Sequence, residues 1–118
     1  MTTRKDQMKR ESAPIVLGSL EEQVMLAVVR TGADAYGMNV RRELEDVTGR
    51  EVTIGSVYAT LDRLEAKGLV ASTRTAAKDA ASRRIFAVTA DGARALADTR
   101  EMRQRLWSGV RLQSFRNS

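Results

Sequence analysis

The fold is decided by residues 53–70, which read TIGSVYATLDRLEAKGLV. Thr53 can cap a helix, and apolar residues follow at i, i+3, i+4, i+7 and i+10 from Ile54 to Leu64. Gly68 ends the pattern, and the lysine before it suits the negative end of the helix dipole. The spacing predicts an amphipathic helix that buries one face and leaves the other in solvent.

The period changes from helical to strand-like directly after this helix. Residues 69–75 and 84–89 are predicted as strands, with Ile85 and Phe86 on opposite faces of the second. Residues 76–83 form a small polar loop with basic ends. The segment predicts an antiparallel hairpin, which must pack on the helices because a two-stranded hairpin alone is marginal.

Two shorter helices are predicted before residue 53. The first begins at Ser19, whose hydroxyl has the capping-box spacing to the carboxylate of Glu22, and it ends at Gly32. The second runs from near Tyr36 to Gly49. The residues expected on its buried face are Val40, Leu44 and Val47.

A last helix is expected to begin after its cap, Thr89, and to run about 20 residues or more, toward Gln113. Its early apolar face is Ala93, Leu96 and Ala97, and its later face is Met102, Leu106 and Val110, with Trp107 beside it. This apolar stripe continues beyond the length that a small domain needs for its own core.

The order of helix, helix, helix, hairpin, helix defines a fold class that is mainly α with a small β-hairpin. It describes a winged helix-turn-helix, in which the third helix enters the major groove of DNA and the hairpin is the wing. We expect residues 1–13 to be a flexible basic arm, residues 14–89 the winged-helix domain, and residues 90–118 a C-terminal helix and tail. The arm carries Arg4, Lys5, Lys9 and Arg10, which could add nonspecific affinity for DNA.

The exposed face of the third helix carries small or hydrogen-bonding side chains, which let a helix approach base edges. The residues expected to contact DNA are Tyr36, Thr53, Ser56, Tyr58, Thr60 and Arg63 from the helical part, and Lys78, Arg83 and Arg84 from the wing. For Tyr36 and Tyr58 a second interpretation stays open, that of a core residue whose hydroxyl meets a backbone group. The two wing arginines are alternatively a solvated strand start.

Composition supports a polyanion partner and excludes several chemistries. The 118 residues carry 20 basic and 15 acidic side chains, a net charge of +5, and no histidine or cysteine. Disulfides, thiolate or histidine metal sites and histidine-based catalytic triads are therefore excluded, and we expect no enzyme activity, metal or cofactor. No apolar run is long enough for a membrane span, and no secretory signal is recognisable, so we expect a cytoplasmic protein.

The chain resembles the PadR-like transcriptional regulators over about residues 15–97. The resemblance rests on residues 17–21 (LGSLE), 35–37 (AYG), 55–70 and 83–92. Its most specific part is the run Tyr-x-x-Leu-x-Arg-Leu-Glu-x-x-Gly-Leu-Val, which begins at Tyr58 and ends at Val70. Two departures concern the wing: its tip lacks the usual glycine pair, and its second strand has Ile85-Phe86 where two aromatic residues are usual.

The resemblance implies a homodimeric repressor that binds double-stranded DNA at an inverted repeat. In this family the last helix pairs with its mate in the other subunit, which implies a dimerisation helix within residues 90–118. The implied interface residues are Leu96, Met102, Leu106, Trp107 and Val110. Some relatives bind flat aromatic or drug-like effectors at the dimer centre through a tryptophan of that helix, and Trp107 is the only tryptophan here. The alternative function is a winged-helix module that docks to another protein and does not bind DNA specifically.

Overall fold

The computed structural model describes residues 14–75 and 83–113. Its elements are α1 (Ser19–Thr31), α2 (Gly37–Thr48), α3 (Ile54–Ala66), β1 (Val70–Arg74), β2 (Arg84–Val88) and α4 (Ala90–Trp107), with a short 3₁₀ turn at Gly32–Asp34. The predicted order of elements and the mainly helical winged-helix fold class are confirmed. The predicted arm, residues 1–13, and the wing-tip residues 76–82, including Lys78, lie outside the described residues.

Helices α3 and α4 begin at the predicted caps. The hydroxyl of Thr53 accepts a hydrogen bond from the Ser56 N–H at 3.1 Å, and that of Thr89 accepts one from the Gly92 N–H at 3.0 Å. Each hydroxyl satisfies a backbone donor that the first turn leaves without a partner. These short-range signals are sufficient to place both helices.

The predicted cap of α1 is wrong by one residue. The N-cap is Gly18, whose N–H donates to Oε1 of Glu21 at 3.1 Å. The sequence offers two adjacent glutamates, and their spacing from Ser19 favoured Glu22. In the structure Glu22 is instead buried against α4, where it pairs with Arg103.

One hydrophobic core joins the helices to the hairpin. Its largest fully buried apolar side chains are Phe86, Met25, Leu61, Leu64, Val24, Val40, Val57 and Val70. The prediction that Val47 belongs to the buried face of α2 is wrong, because 57% of its surface is exposed. The core ends at Leu44, and Val47 borders a shallow apolar groove between α1 and α2 instead.

The hairpin is antiparallel, with Val70 opposite Val88 at its base and Arg74 opposite Arg84 at the end nearest the connecting loop. The segment before α2 lies beside β2. The Phe86 N–H donates to the Ala35 carbonyl at 3.0 Å, and Tyr36 forms an isolated bridge with Ile85. The wing is therefore fixed on both sides, to α3 through β1 and to the start of α2 through β2.

Helix α4 lies against the rest of the domain through small residues. The predicted early face of Ala93 and Ala97 is wrong, because both are exposed. The buried positions are Gly92, Ala95 and Thr99. A Cβ atom at position 92 would lie 2.0 Å from the carbonyl oxygen of Leu69. The close approach at Gly92 turns positions 92, 95 and 99 of the helix toward the domain, which leaves Ala93 and Ala97 in solvent.

Helix α4 is also shorter than expected. It ends at Trp107 after 18 residues, and Gly109 follows with φ +78°. Thr99 ties its middle to the chain before α1, since its Oγ1 accepts from the Leu17 N–H at 3.0 Å and donates to the Ala95 carbonyl at 2.8 Å. The last turn extends past these contacts.

Candidate DNA-binding surface

The outer face of α3 is small and exposed, as predicted. Gly55, Ser56 and Ala59 are all exposed, and nothing lies within 4 Å of where a Cβ at Gly55 would be. The hydroxyl of Thr53 is engaged twice, because it also donates to Oγ of Ser56 at 2.8 Å. Ser56 accepts in this pair, so its own hydroxyl hydrogen can be donated to an acceptor on a binding partner. This face can therefore approach a flat or grooved partner closely.

The prediction that Thr60 lies on this exposed face is wrong. Its side chain is 1% exposed and packs inside the domain. Its Oγ1 accepts a hydrogen bond from Nη2 of the exposed Arg63 at 3.3 Å. Thr60 thus positions Arg63 rather than contacting a partner. A polar residue among apolar neighbours can be buried when its hydroxyl is hydrogen-bonded, which sequence spacing alone does not reveal.

Tyr58 and Gly37 bring α3 and the start of α2 into direct contact. Tyr58 is 38% exposed, and a Cβ at Gly37 would lie 2.4 Å from Cζ and 2.5 Å from Oη of that tyrosine. The absence of a side chain at Gly37 therefore makes room for the tip of the ring. The ring packs against the start of α2 while more than a third of the side chain stays exposed, so a contact of Tyr58 with DNA remains a prediction.

Tyr36, the residue before α2, and Arg83, the residue before β2, meet beside the hairpin. The guanidinium carbon of Arg83 lies 5.0 Å from the centroid of the Tyr36 ring, a distance typical of a cation–π contact. The ring holds the guanidinium in place. Because Arg83 remains exposed, its positive charge is still accessible to an anion.

Arg84, by contrast, is held against α3. Its Nη1 lies 3.0 Å from Oδ1 of Asp62, and its Nη2 lies 3.4 Å from Oε2 of Glu65. Its guanidinium also lies 4.8 Å from the centroid of the Phe86 ring. Burial opposes the charged form of Arg84, but the hydrogen bond and charge of Asp62 and the charge of Glu65 outweigh it and raise the pKa of this guanidinium.

A basic cleft of about 380 Å³ lies between the wing, α3 and the start of α2. Its lining residues are Tyr36, Met38, Asn39, Arg42, Tyr58, Arg74, Arg83 and Arg84. Four of the predicted site residues therefore come together here, whereas Thr53, Ser56 and Arg63 lie outside the lining.

The sequence analysis missed Asn39, Arg42 and Arg74 as members of this cleft. Arg42 looked like a solvated residue of α2, and Arg74 like the end of a strand. Within residues 14–75 and 83–113, no ion pair involves Arg42, Arg74 or Arg83. No signal in the sequence linked them to the two tyrosines, because the wing, α2 and α3 form this cleft only in the folded domain. Three unpaired cations in one cleft can bind a polyanion such as a DNA backbone.

The end of α4 exposes the apolar residues that were predicted as an interface. Leu106 is 68% exposed and Trp107 is 58% exposed, and Val110 beyond them is also exposed. Leu96 and Met102 are half-buried against the domain. Trp107 borders an open cleft of about 540 Å³ that is also lined by Arg100, Arg103, Gln104 and Ser108.

Within the described ranges, no group of three or more acidic side chains is placed to hold a metal ion. No helix in this part of the chain is both long and apolar enough to cross a membrane.

The fold and the cleft define a winged-helix protein of the DNA-binding class. Residues 25–98 match the Transcriptional regulator PadR-like family. The chain belongs to this family, whose members are transcriptional regulators and not enzymes. A comparison with curated proteins finds no match.

Solved structures agree with this assignment. RosR of H. salinarum is 28% identical, with a TM-score of 0.63, and the match covers 85% of this chain and 86% of that one. A PadR family transcriptional regulator from Eggerthella lenta is 25% identical, with a TM-score of 0.62 and coverage of 89% and 90%. A PadR-like transcription factor from Bacteroides fragilis is 22% identical and shows the same fold, with a TM-score of 0.66 and coverage of 86% and 89%.

Proposed function

We propose that this protein is a homodimeric repressor that binds an inverted-repeat operator through α3 and the wing. The observation that carries the proposal is the basic cleft beside α3, in which Arg42, Arg74 and Arg83 have no carboxylate partner among the described residues. A row of unpaired cations next to a helix with a small, exposed face matches what a winged helix offers to phosphates and base edges. Occupancy of a promoter by the dimer would block transcription.

The contacts divide into two groups by chemistry. Arg42, Arg74 and Arg83 hold phosphates, with the hydroxyls of Tyr36 and Tyr58 as hydrogen-bond donors at the same cleft. The exposed face of α3 contacts base edges. Ser56 can donate a hydrogen bond there, and Arg63 has the side chain that extends furthest toward the bases. Lys78 would add a further phosphate contact at the wing tip.

The dimer would form through the end of α4. Leu106 and Trp107 in the last turn of α4, and Val110 directly after the helix, are apolar side chains left in solvent. Burying them against a second copy removes that surface from water. A symmetric pair would place the two α3 helices about 34 Å apart, on successive turns of the major groove.

An effector site at Trp107 completes the proposal. The open cleft beside the indole is flanked by Arg100 and Arg103, and a planar aromatic compound could stack on the ring there. Binding would change the angle between the two DNA-binding heads through α4. Because Trp107 is the only tryptophan, quenching of its fluorescence by planar aromatic acids or cations reports binding directly, and Trp107→Phe removes the signal.

The test of the DNA-binding proposal is selection from a random duplex library with the purified protein. Enrichment of a two-fold symmetric motif, with half-sites one helical turn apart, supports a dimeric operator-binding protein. Recovery of duplexes without any common motif would favour the alternative, an interaction module that meets DNA only nonspecifically.

A further inference from the structure

We propose that Arg84 is a positioning residue that fixes the wing against the recognition helix, and that it does not neutralise a DNA phosphate. The inference rests on the proposed DNA-binding function and assigns this arginine a role opposite to that of Arg83, its neighbour in sequence.

The first argument is the position of Arg84 in the hairpin. Residues 84, 86 and 88 of β2 face the same side, and Phe86 on that side is buried in the core. Arg84 is the next residue on that face toward the wing tip. It is therefore the last side chain through which β2 contacts the helical part of the domain.

The second argument is the number of contacts that the guanidinium makes. Asp62 and Glu65 are three residues apart on α3, so they lie on one face of the helix, and Arg84 reaches both. The hydroxyl of Ser72 on β1 donates to Glu65 as well. Both strands of the wing are thus tied to the same side of α3. The planar fork of arginine suits this double contact, whereas a lysine ammonium offers a single point charge.

The third argument is charge. Arg84 and Arg74 are directly opposite across the two strands, and like charges in that arrangement repel each other. The two α3 carboxylates offset that repulsion at Arg84 alone. Arg74 is left in the cleft without an ion pair in the described parts of the chain, so the structure separates a fixed arginine from free ones.

The decisive experiment removes the carboxylates rather than the arginine. In the double variant Asp62→Asn/Glu65→Gln, two negative charges disappear from the surface that faces DNA and Arg84 is freed. If Arg84 were a phosphate contact, affinity for every duplex would rise. If it positions the wing, the ratio of affinity for the selected site to that for a scrambled duplex falls by about tenfold or more, although the net charge has become more favourable.

A matched control separates positioning from bulk charge. Asp46→Asn/Glu101→Gln makes the same two chemical changes at exposed positions of α2 and α4, away from the wing. We expect this control to keep the wild-type affinity ratio. An affinity ratio in Asp62→Asn/Glu65→Gln that equals or exceeds the control's would overturn the proposal. The single variant Asp62→Asn, expected to shift the ratio in the same direction, serves if the double variant does not fold.

A measurement without DNA keeps this proposal distinct from the proposed function. Amide hydrogen exchange follows the N–H of Thr75, which donates to the Arg83 carbonyl at 2.8 Å near the wing tip. We expect its protection to fall in Asp62→Asn/Glu65→Gln and in Arg84→Lys, but not in the control. Unchanged protection would refute the positioning role even if the protein binds DNA. A wild-type protein without any preferred duplex would refute the operator-binding function instead.

Discussion

The side chain of Tyr58 occupies the space that any residue other than glycine would need at position 37. An added Cβ there would lie 2.4 Å from Cζ of the tyrosine, and the three atoms nearest to it all belong to the tip of that ring. The start of α2 and helix α3 thereby contact each other at one point on the edge of the basic cleft. This relationship can be tested by substitution.

Gly37→Ala should displace the Tyr58 ring and lower the free energy of unfolding by about 1 kcal/mol, because the clash involves the movable end of a side chain. Chemical denaturation measures this change, and the affinity for the selected duplex should fall because the Tyr58 hydroxyl leaves the cleft. In a Tyr58→Ala background the cost of Gly37→Ala should vanish. An equal cost in both backgrounds would show that the two residues are not coupled.

Gly92→Ala should be much more damaging, by about 3 kcal/mol or more, since the new methyl group meets the backbone carbonyl of Leu69 at 2.0 Å. The strand end cannot move away without separating α4 from the hairpin. Gly55→Ala is the matched control, because open space surrounds that position. Thermal unfolding of the three proteins measures the difference, and similar midpoints for both variants would contradict the close contact.

The salt dependence of DNA affinity should separate phosphate contacts from base contacts. Arg83→Ala should weaken binding to selected and scrambled duplexes alike and make the slope of log K against log salt shallower by about 0.9. Arg63→Ala should cost about 1–3 kcal/mol on the selected duplex and much less on the scrambled one. Fluorescence anisotropy over a salt series measures both. Equal losses for Arg63→Ala on the two duplexes would reduce that residue to a phosphate contact.

The pH dependence of stability should show the ion pair between Glu21 and Lys67, whose atoms lie 2.7 Å apart. The hydrogen bond from Lys67 lowers the pKa of Glu21; burial opposes this shift, and the Gly18 N–H adds to it. Because the folded-state pKa is below the unfolded one, the stabilisation is present above about pH 4.5 and is lost as the pH falls through the folded-state pKa.

Glu21→Gln removes this contribution. Urea denaturation over a pH series should give a less stable variant near neutral pH, with the difference shrinking as the pH falls through the folded-state pKa of Glu21. A constant difference across the whole range would mean that the ion pair has no part in the stability of the domain.

Self-association should depend on the end of α4. Leu106→Glu puts a charge into the surface that we assign to the dimer, so sedimentation equilibrium should show a shift toward monomer, with the helical content retained. Val47→Glu alters an apolar residue that is similarly exposed on α2 and should leave the association state unchanged. If Val47→Glu dissociates the dimer and Leu106→Glu does not, the dimer interface lies at the α1–α2 groove and the assignment to α4 is wrong.

The parts of the fold that the sequence predicted are those with local causes. Thr53 and Thr89 cap their helices through residues three positions away, and the apolar spacing of α3 was visible along the chain. The position of β2 followed from the change of period. These features can be predicted without knowing which residues pack against each element.

The errors concern residues whose environment comes from distant segments. Thr60 is covered by the rest of the domain although its side chain is polar. Arg84, for which a solvated strand start was one interpretation, is instead paired with two carboxylates that α3 brings to it. Val47 lies past the edge of the core, although its spacing fits the buried stripe. In each case, spacing gave the direction of the side chain within its element but not its neighbours.

The central claim, sequence-specific binding through the cleft and α3, is tested most directly by anisotropy of the wild-type protein on the selected duplex and on a scrambled duplex of the same composition. Both are titrated over a salt series. The account predicts affinity for the selected duplex at least about a hundredfold above the scrambled one, with a steep salt dependence on both. Equal affinities at every salt concentration would contradict the account and leave a winged helix that serves another kind of partner.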